Sequence, residues 1–161
     1  NHVVISLPKS LEWLVAMTAC SMLGVVYSPL DPRVSTDQRL HIWRTWAPVA
    51  AIVQRREALH ELLVAPDVAG EGGVRLEADR DASLTRGMLV FEIPTMDLAS
   101  GGHDVTLPEV LSTDPVHVDW TSGTSGKPKG KLIWHRKIVI DVLYRWCLYP
   151  MGPDDSAAAI N

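Results

Sequence analysis

The sequence predicts an α/β fold, with helices flanking a parallel or mixed β-sheet. Three observations support this prediction. Short β-branched runs recur along the first half of the chain, proline or glycine follows several of them, and segments with apolar residues at helical spacing lie between them. A strand, a helix and a second strand in succession form the unit from which parallel sheets are built.

The first such unit is predicted near the start of the chain. Val3–Leu7 is a β-branched run followed by Pro8, as is typical of a buried strand. Ser10 has a suitable side chain and position to cap a helix, and Gly24 lies where that helix should end. The run Val25–Tyr27 is the next predicted strand. The residues at helical spacing between the strands are Leu11, Leu14, Val15, Thr18, Met22 and Val25.

A second helix and a third strand follow. Ser35 and Gln38 have the spacing of a capping box, which predicts a helix that continues through Trp46 and ends at Pro48. Ala50–Val53 is a short buried strand, and residues 56–64 are predicted to form another helix. The pattern is therefore βαβαβ, as expected for an α/β protein.

The remainder of the chain divides into a poorly patterned segment and a clearer one. Residues 66–111 show little periodicity, apart from a predicted strand at Met88–Ile93. Alternating apolar residues predict a strand at Val116–Trp120, and Lys131–Trp134 is predicted to return beside it. Residues 136–149 are predicted to be helical, with one face formed by Ile138, Val139, Val142, Leu143, Trp146 and Cys147.

Composition narrows the functional classes. Hydrophobic residues make up 47% of the 161 residues, enough to build a core and to argue against disorder. A net charge of −4 gives no reason to expect a nucleic-acid partner. The longest apolar stretch, Leu11–Tyr27, is shorter than the ~20 residues of a membrane span. Cys20 and Cys147 lie far apart in apolar runs, so we expect buried, reduced thiols and a cytoplasmic location.

The chemistry is concentrated in one loop, Thr121–Gly130. Its glycines allow backbone amides to approach a ligand closely, successive amides can form an anion-binding nest, and lysines add positive charge. This composition favours a polyphosphate ligand, and the alternative is a surface loop of small polar residues. The hydroxyl residues are Thr121, Ser122, Thr124 and Ser125, the glycines are Gly123, Gly126 and Gly130, and the lysines are Lys127 and Lys129.

The loop is not the P-loop of GTPases and ATPases. That motif places four residues between its first glycine and the Gly-Lys pair, followed by Ser or Thr. Here only two residues separate Gly123 from Gly126, and Pro128 stands where the magnesium-binding hydroxyl is required.

The ordered string Thr-Ser-Gly-Thr-Ser-Gly-Lys-Pro-Lys-Gly closely resembles the phosphate loop of the adenylate-forming superfamily, with Ser125 in a place usually held by threonine. This superfamily includes acyl-CoA synthetases and nonribosomal peptide synthetase adenylation domains. The segments Leu7–Met17 and Gly24–Pro32 are also similar to the early helix and turn of these enzymes. The resemblance implies that residues 1–161 are part of the large amino-terminal core, cut off after the phosphate loop.

The resemblance also implies an activity. Members activate a carboxylic acid with ATP as an acyl-adenylate, release pyrophosphate, and transfer the acyl group to the thiol of CoA or of phosphopantetheine on a carrier protein. Residues 121–126, Lys129 and Gly130 would hold the phosphates. The resemblance also implies two catalytic residues: Lys129 would neutralise the departing pyrophosphate, and His135 would lie near the acyl group and α-phosphate. Lys131 and Trp134 depart from the family pattern around that histidine.

Other parts of the family's active site are expected outside this chain, namely the carboxylate that binds Mg²⁺, the ribose-binding aspartate and a late catalytic lysine. No metal ligand is predicted within it. Two hypotheses follow: part of a working ligase, or a truncated, non-catalytic remnant that acts as a binding or interaction module. The turn Pro29–Pro32 favours an amino or aryl acid as substrate, with a fatty or short acyl acid second. For His135 the alternative is a helix-capping or packing role.

Overall fold

The fold is α/β, as predicted, and the described residues form a six-stranded mixed sheet and three helices. The computed structural model describes residues 2–31, 33–55, 88–93, 105–122, 127–150, 152 and 155. The strands are His2–Ser6 (β1), Val26–Pro29 (β2), Ala50–Val53 (β3), Leu89–Glu92 (β4), Pro115–Ser122 (β5) and Pro128–Trp134 (β6). The helices are Leu11–Met22 (α1), Thr36–Trp46 (α2) and His135–Leu148 (α3). The helix predicted over 56–64 and most of segment 66–111 lie outside the described residues.

The strands lie in the order β4-β3-β1-β2-β5-β6. The first five strands run parallel to their neighbours, and β6 returns antiparallel to β5. In the register of the sheet, Val4 lies opposite Ser28 on one side and Ala51 on the other. The carboxyl ends of five strands therefore meet at one edge, where ligands bind in open α/β sheets.

Helix α1 begins as predicted but buries a different face. The Ser10 hydroxyl accepts a hydrogen bond from the Trp13 amide at 3.4 Å, and Gly24 follows the helix at a left-handed φ of 62°. The buried residues of α1 are Ala16 and Cys20, whereas Leu11 and Leu14 are exposed. The helical periodicity was thus predicted correctly, but the apolar series named above is not the face that packs on the sheet.

Helix α2 covers the other face of the sheet. The Ser35 hydroxyl accepts from the Gln38 amide, which confirms this helix start, and Ala47 ends the helix at a left-handed φ of 47° before Pro48. Trp43 is only 1% exposed and packs in a buried cluster with Val4, Leu30, Ile42, Ala51 and Val53. A second cluster on the α1 face contains Ile5, Leu7, Ala16, Cys20, Tyr27, Val116 and Ile133. The consecutive residues Val4 and Ile5 pack in different clusters because successive side chains of a strand point to opposite faces of the sheet.

Helix α3 has the predicted bounds to within a residue but buries none of its residues. Of the apolar face predicted for it, Ile138 packs beside the α1-face cluster. Val139, Val142, Leu143 and Trp146 are each more than half exposed, and Cys147 is exposed. The described residues therefore leave most of this apolar face uncovered. No helix in the described part of the chain has the length and apolar character needed to cross a bilayer.

The two cysteines differ in environment, so the expectation of two buried thiols is right for Cys20 and wrong for Cys147. Burial raises the pKa of the Cys20 thiol to about 11.

At pH 8 only about one Cys20 thiol in a thousand is therefore ionised, and the thiolate is the reactive form. We expect Cys147 to react with a maleimide at least about 100-fold faster than Cys20. Mass spectrometry of the labelled chain at successive times would measure the two rates. Rapid labelling that persists after Cys147→Ser would contradict the burial of Cys20.

Candidate functional site

The predicted phosphate loop forms the end of the β5–β6 hairpin, and much of it is strand. Thr121 pairs with Lys129 and Ser122 pairs with Pro128, so β5 and β6 extend further than the sequence pattern indicated. The hairpin leaves the sheet from the carboxyl end of β5, on the edge where β1 and β2 also end. The loop residues Gly123, Thr124, Ser125 and Gly126 lie outside the described residues.

Thr121 and Lys129 form the neck of the hairpin. They lie directly opposite each other and therefore on the same face of the sheet. The Thr121 hydroxyl donates to the Lys129 carbonyl at 3.4 Å, a long and weak hydrogen bond. Both side chains are exposed, as is Lys127. The neck thus presents a hydroxyl and an ammonium group to the same region of solvent.

Gly130 has a packing role that its place in the motif did not indicate. It lies opposite Trp120, and a Cβ atom there would approach the indole Cη2 and Cζ3 atoms to 3.2 Å. The Trp120 Nε1–H donates to the Ser28 hydroxyl at 2.8 Å, and Ser28 is fully buried. The absence of a side chain at Gly130 therefore lets the indole lie across β6. The phosphate contact predicted for Gly130 stays a prediction.

His41 contacts the exit of the loop, and sequence analysis gave it no role. Its Nε2 lies 3.1 Å from the carbonyl oxygen of Pro128, although 87 positions separate the two residues. Pro128 is buried. A single histidine on a predicted helix carries no local signal for such a contact, because the contact depends on how α2 packs against the hairpin.

His135 and Lys129 are not brought together. Pro128 is the first residue of β6 and Trp134 the last, and Trp134 pairs with Pro115 at the opposite end of β5 from the loop. Six residues of extended strand place the two backbones about 20 Å apart. The His135 amide donates to the Asp114 carbonyl at 3.0 Å. The two side chains predicted to be catalytic are thus too far apart to contact one phosphate group.

A pocket of about 390 Å³ opens at the carboxyl ends of β1 and β2. Its lining is mainly apolar and includes Trp13 and Leu30, with Lys9, Asp31 and Arg33 as its charged members. The Asp31 carboxylate accepts from the Arg33 amide at 2.8 Å and from the guanidinium at 2.7 Å. The Arg33 side-chain hydrogen bond lowers the pKa of Asp31 below its ordinary value. Asp31 thereby orders this turn, on the same edge of the sheet as the hairpin.

Residues 1–160 match the model of a family described as AMP-binding enzyme. The chain belongs to the AMP-binding enzyme family. This membership confirms the resemblance to the adenylate-forming superfamily drawn from the loop motif and the early helix and turn.

The relatives within the family include both branches named above. The chain is 30% identical over 152 residues to 4-coumarate–CoA ligase 2 of Oryza sativa subsp. japonica, covering 88% of this chain and 26% of the ligase. It is 28% identical over 167 residues to nonribosomal peptide synthetase 5 of Gibberella zeae, covering 95% of this chain and 1% of the synthetase. The chain therefore spans about a quarter of the ligase and a very small share of the synthetase.

Solved structures share the fold at lower identity. Apo MatB from Rhodopseudomonas palustris superposes with a TM-score of 0.68 at 19% identity, over 96% of this chain and 28% of that one. The McyG A-PCP structure complexed with phenylalanyl-adenylate gives a TM-score of 0.62 at 19% identity, over 92% and 22% of the two chains. These two structures thus share the α/β fold of this chain.

Proposed function

We propose that this chain supplies the polyphosphate-binding hairpin of an adenylate-forming enzyme. In the proposed reaction a carboxylate attacks the α-phosphorus of MgATP, the bond to the β-phosphate oxygen breaks, and pyrophosphate leaves. A thiol then attacks the acyl carbon of the acyl-adenylate, so that a thioester forms and AMP leaves. The observation that carries the proposal is the position of the Thr121–Gly130 motif, in a β-hairpin at the ligand-binding edge of the sheet, in a member of the AMP-binding family.

The neck of the hairpin supports a role in holding phosphate. Thr121 and Lys129 lie opposite each other on one face of the sheet, so one anion can contact both side chains. The Thr121 hydroxyl has a single proton, which it gives to the Lys129 carbonyl. Because that hydrogen bond is long and weak, little free energy is lost when the hydroxyl breaks it and donates to a phosphate oxygen instead. The glycines and hydroxyls of residues 123–126 remain predicted ligands of the same phosphates.

Lys129 is proposed to stabilise the leaving group. Negative charge accumulates on the β- and γ-phosphates as the α–β bond breaks, and a fixed ammonium group lowers the energy of that state. His135 is not included in this phosphate site, because β6 places it at the opposite end of the hairpin. The catalytic role predicted for it stays a prediction and would need a different part of the substrate.

We propose the acid substrate and the thiol acceptor only as chemical classes. One relative is named as a 4-coumarate–CoA ligase and others as nonribosomal peptide synthetases, which supports an aryl or amino acid as substrate. CoA or the phosphopantetheine of a carrier protein is the corresponding thiol. ATP–pyrophosphate exchange with panels of amino and aryl acids, on a longer protein that includes this chain, would identify the acid. No contact among the described residues favours the alternative of a non-catalytic binding module.

The phosphate site can be tested on this chain by ligand-induced stabilisation. A ligand that binds only the folded state raises the apparent stability, by about 1.4 kcal/mol at tenfold excess over its Kd. For a chain of this size we expect magnesium pyrophosphate and MgATP at saturating concentration to raise Tm by about 3 °C. AMP, which lacks the β- and γ-phosphates, should raise it far less. Equal shifts with AMP, or no shift with any of the three, would count against the proposed site.

A further inference from the structure

We propose that His41 is a positioning residue that fixes the Pro128–Lys129 peptide and thereby directs the Lys129 side chain toward the phosphate ligand. This inference rests on the proposed function and deepens it. It assigns a role in the site to a residue of α2, which is remote in sequence from the motif.

The first step is the contact itself. The His41 Nε2 lies 3.1 Å from the Pro128 carbonyl oxygen in a partly buried position. Proline has no amide hydrogen, so the carbonyl is the only backbone hydrogen-bonding group that Pro128 offers. A buried carbonyl without a donor is costly, and Pro128 is buried. His41 thus adds a side-chain hydrogen bond to this carbonyl, at the point where the paired strands of the hairpin end.

The second step is that Lys129 is held on both sides. Its backbone is paired with Thr121 in the β5–β6 ladder, and the preceding carbonyl lies within hydrogen-bond distance of His41. Peptide groups are planar, so fixing the peptide groups on both sides of a residue restricts its backbone dihedrals. The direction of the Lys129 Cβ atom is then set by the protein, while its exposed side chain remains available to a ligand.

The third step is that the anchor is rigid. The residues that follow His41 in α2 are Ile42 and Trp43, which are among the most deeply buried side chains in the chain. Beyond Lys129, Gly130 is held against the Trp120 indole, which is itself tied to Ser28. Helix α2 and the hairpin are thus joined to the same core cluster on each side of the Pro128–Lys129 peptide.

The chemistry of the bond defines the test. Imidazole donates through Nε2 in one neutral tautomer and in the protonated form. A glutamine amide at the same position can donate from a similar distance, whereas alanine cannot. His41→Gln should therefore preserve the positioning that His41→Ala removes. Thr45→Ala, one turn along α2 at an exposed position, is the matched control.

The experiment measures the Kd of magnesium pyrophosphate by titration calorimetry, with urea unfolding to verify that each variant is folded. We expect His41→Ala to weaken binding about three- to tenfold, the range for one neutral hydrogen bond. His41→Gln and Thr45→Ala should bind within about twofold of the wild type. In a Lys129→Ala background, His41→Ala should have no further effect, because it acts through Lys129.

The outcomes separate the two proposals. Absence of pyrophosphate binding by the wild-type chain would overturn the proposed function and the positioning role together. Wild-type binding that His41→Ala leaves unchanged would overturn the positioning role alone. A loss on His41→Ala that persists undiminished in the Lys129→Ala background, or that glutamine fails to rescue, would also overturn it, since either result indicates a general structural effect.

Discussion

Replacing Lys129 with alanine is expected to weaken the binding of MgATP and magnesium pyrophosphate about 10- to 100-fold. A charge-assisted hydrogen bond contributes about 1.5–3 kcal/mol, which corresponds to this range of affinity. Lys129 lies at the neck of the hairpin, opposite Thr121 and next to the buried Pro128, and in the proposed site its ammonium group contacts the phosphates. Titration calorimetry on the chain measures the affinity. Pyrophosphate exchange on a longer protein would measure the effect on the reaction.

Lys131→Ala is the matched control for this prediction. Lys131 is an exposed lysine on the same strand and the same face, opposite Asp119 and two residues further from the loop. Its replacement removes the same charge from the chain but should change the affinity by less than about twofold. Lys129→Arg keeps the positive charge and should retain part of the affinity. If both alanine variants weakened binding equally, the attraction would be a general effect of surface charge and not a specific site.

Trp43→Ala is expected to lower the free energy of unfolding by about 3–5 kcal/mol, the usual cost of removing a large buried aromatic side chain. Trp43 is 1% exposed and packs against strands β1 and β3 through Val4, Ala51 and Val53. Domains of ordinary size are stable by only about 5–15 kcal/mol, so this variant should be close to unfolding at 37 °C. Urea denaturation followed by circular dichroism would measure the loss.

Trp146→Ala provides the comparison, because it removes the same side chain from an exposed position. Trp146 lies on α3 and is 56% exposed, so its replacement should change the free energy of unfolding by no more than about 0.5 kcal/mol. A comparable loss for the two variants would contradict the packing described for α2 and α3. A loss below about 1 kcal/mol for Trp43→Ala would show that α2 does not close the core on its face of the sheet.

The helix starts and short strands could be predicted from the sequence because their signals are local. The hydroxyls of Ser10 and Ser35 each accept an amide three residues ahead, and Gly24 takes the left-handed conformation that a helix end favours. The order of the six strands could not be predicted in this way. It depends on pairings such as Tyr27 with His117, which are distant in sequence and leave no periodic pattern.

The candidate site likewise has features with a local sequence signal and features without one. The motif between Thr121 and Gly130 was visible as a string, and so was its link to the AMP-binding family. The His41 contact and the packing of Trp120 on Gly130 were not visible, because each joins residues from different elements or from opposite strands. The distance between Lys129 and His135 follows from simple geometry once β6 is known to be extended throughout. Apolar spacing predicted helix α3 but could not show whether anything covers it.

The bare face of α3 affects how the chain unfolds. With none of its fourteen residues buried, this helix gains little from tertiary packing and relies on local pairs such as Lys137 with Asp141 at 2.6 Å. Isolated helices of this length are marginal in water. Opening α3 should therefore need less free energy than unfolding the sheet, so the amide hydrogens of α3 should exchange with solvent before those of the strands.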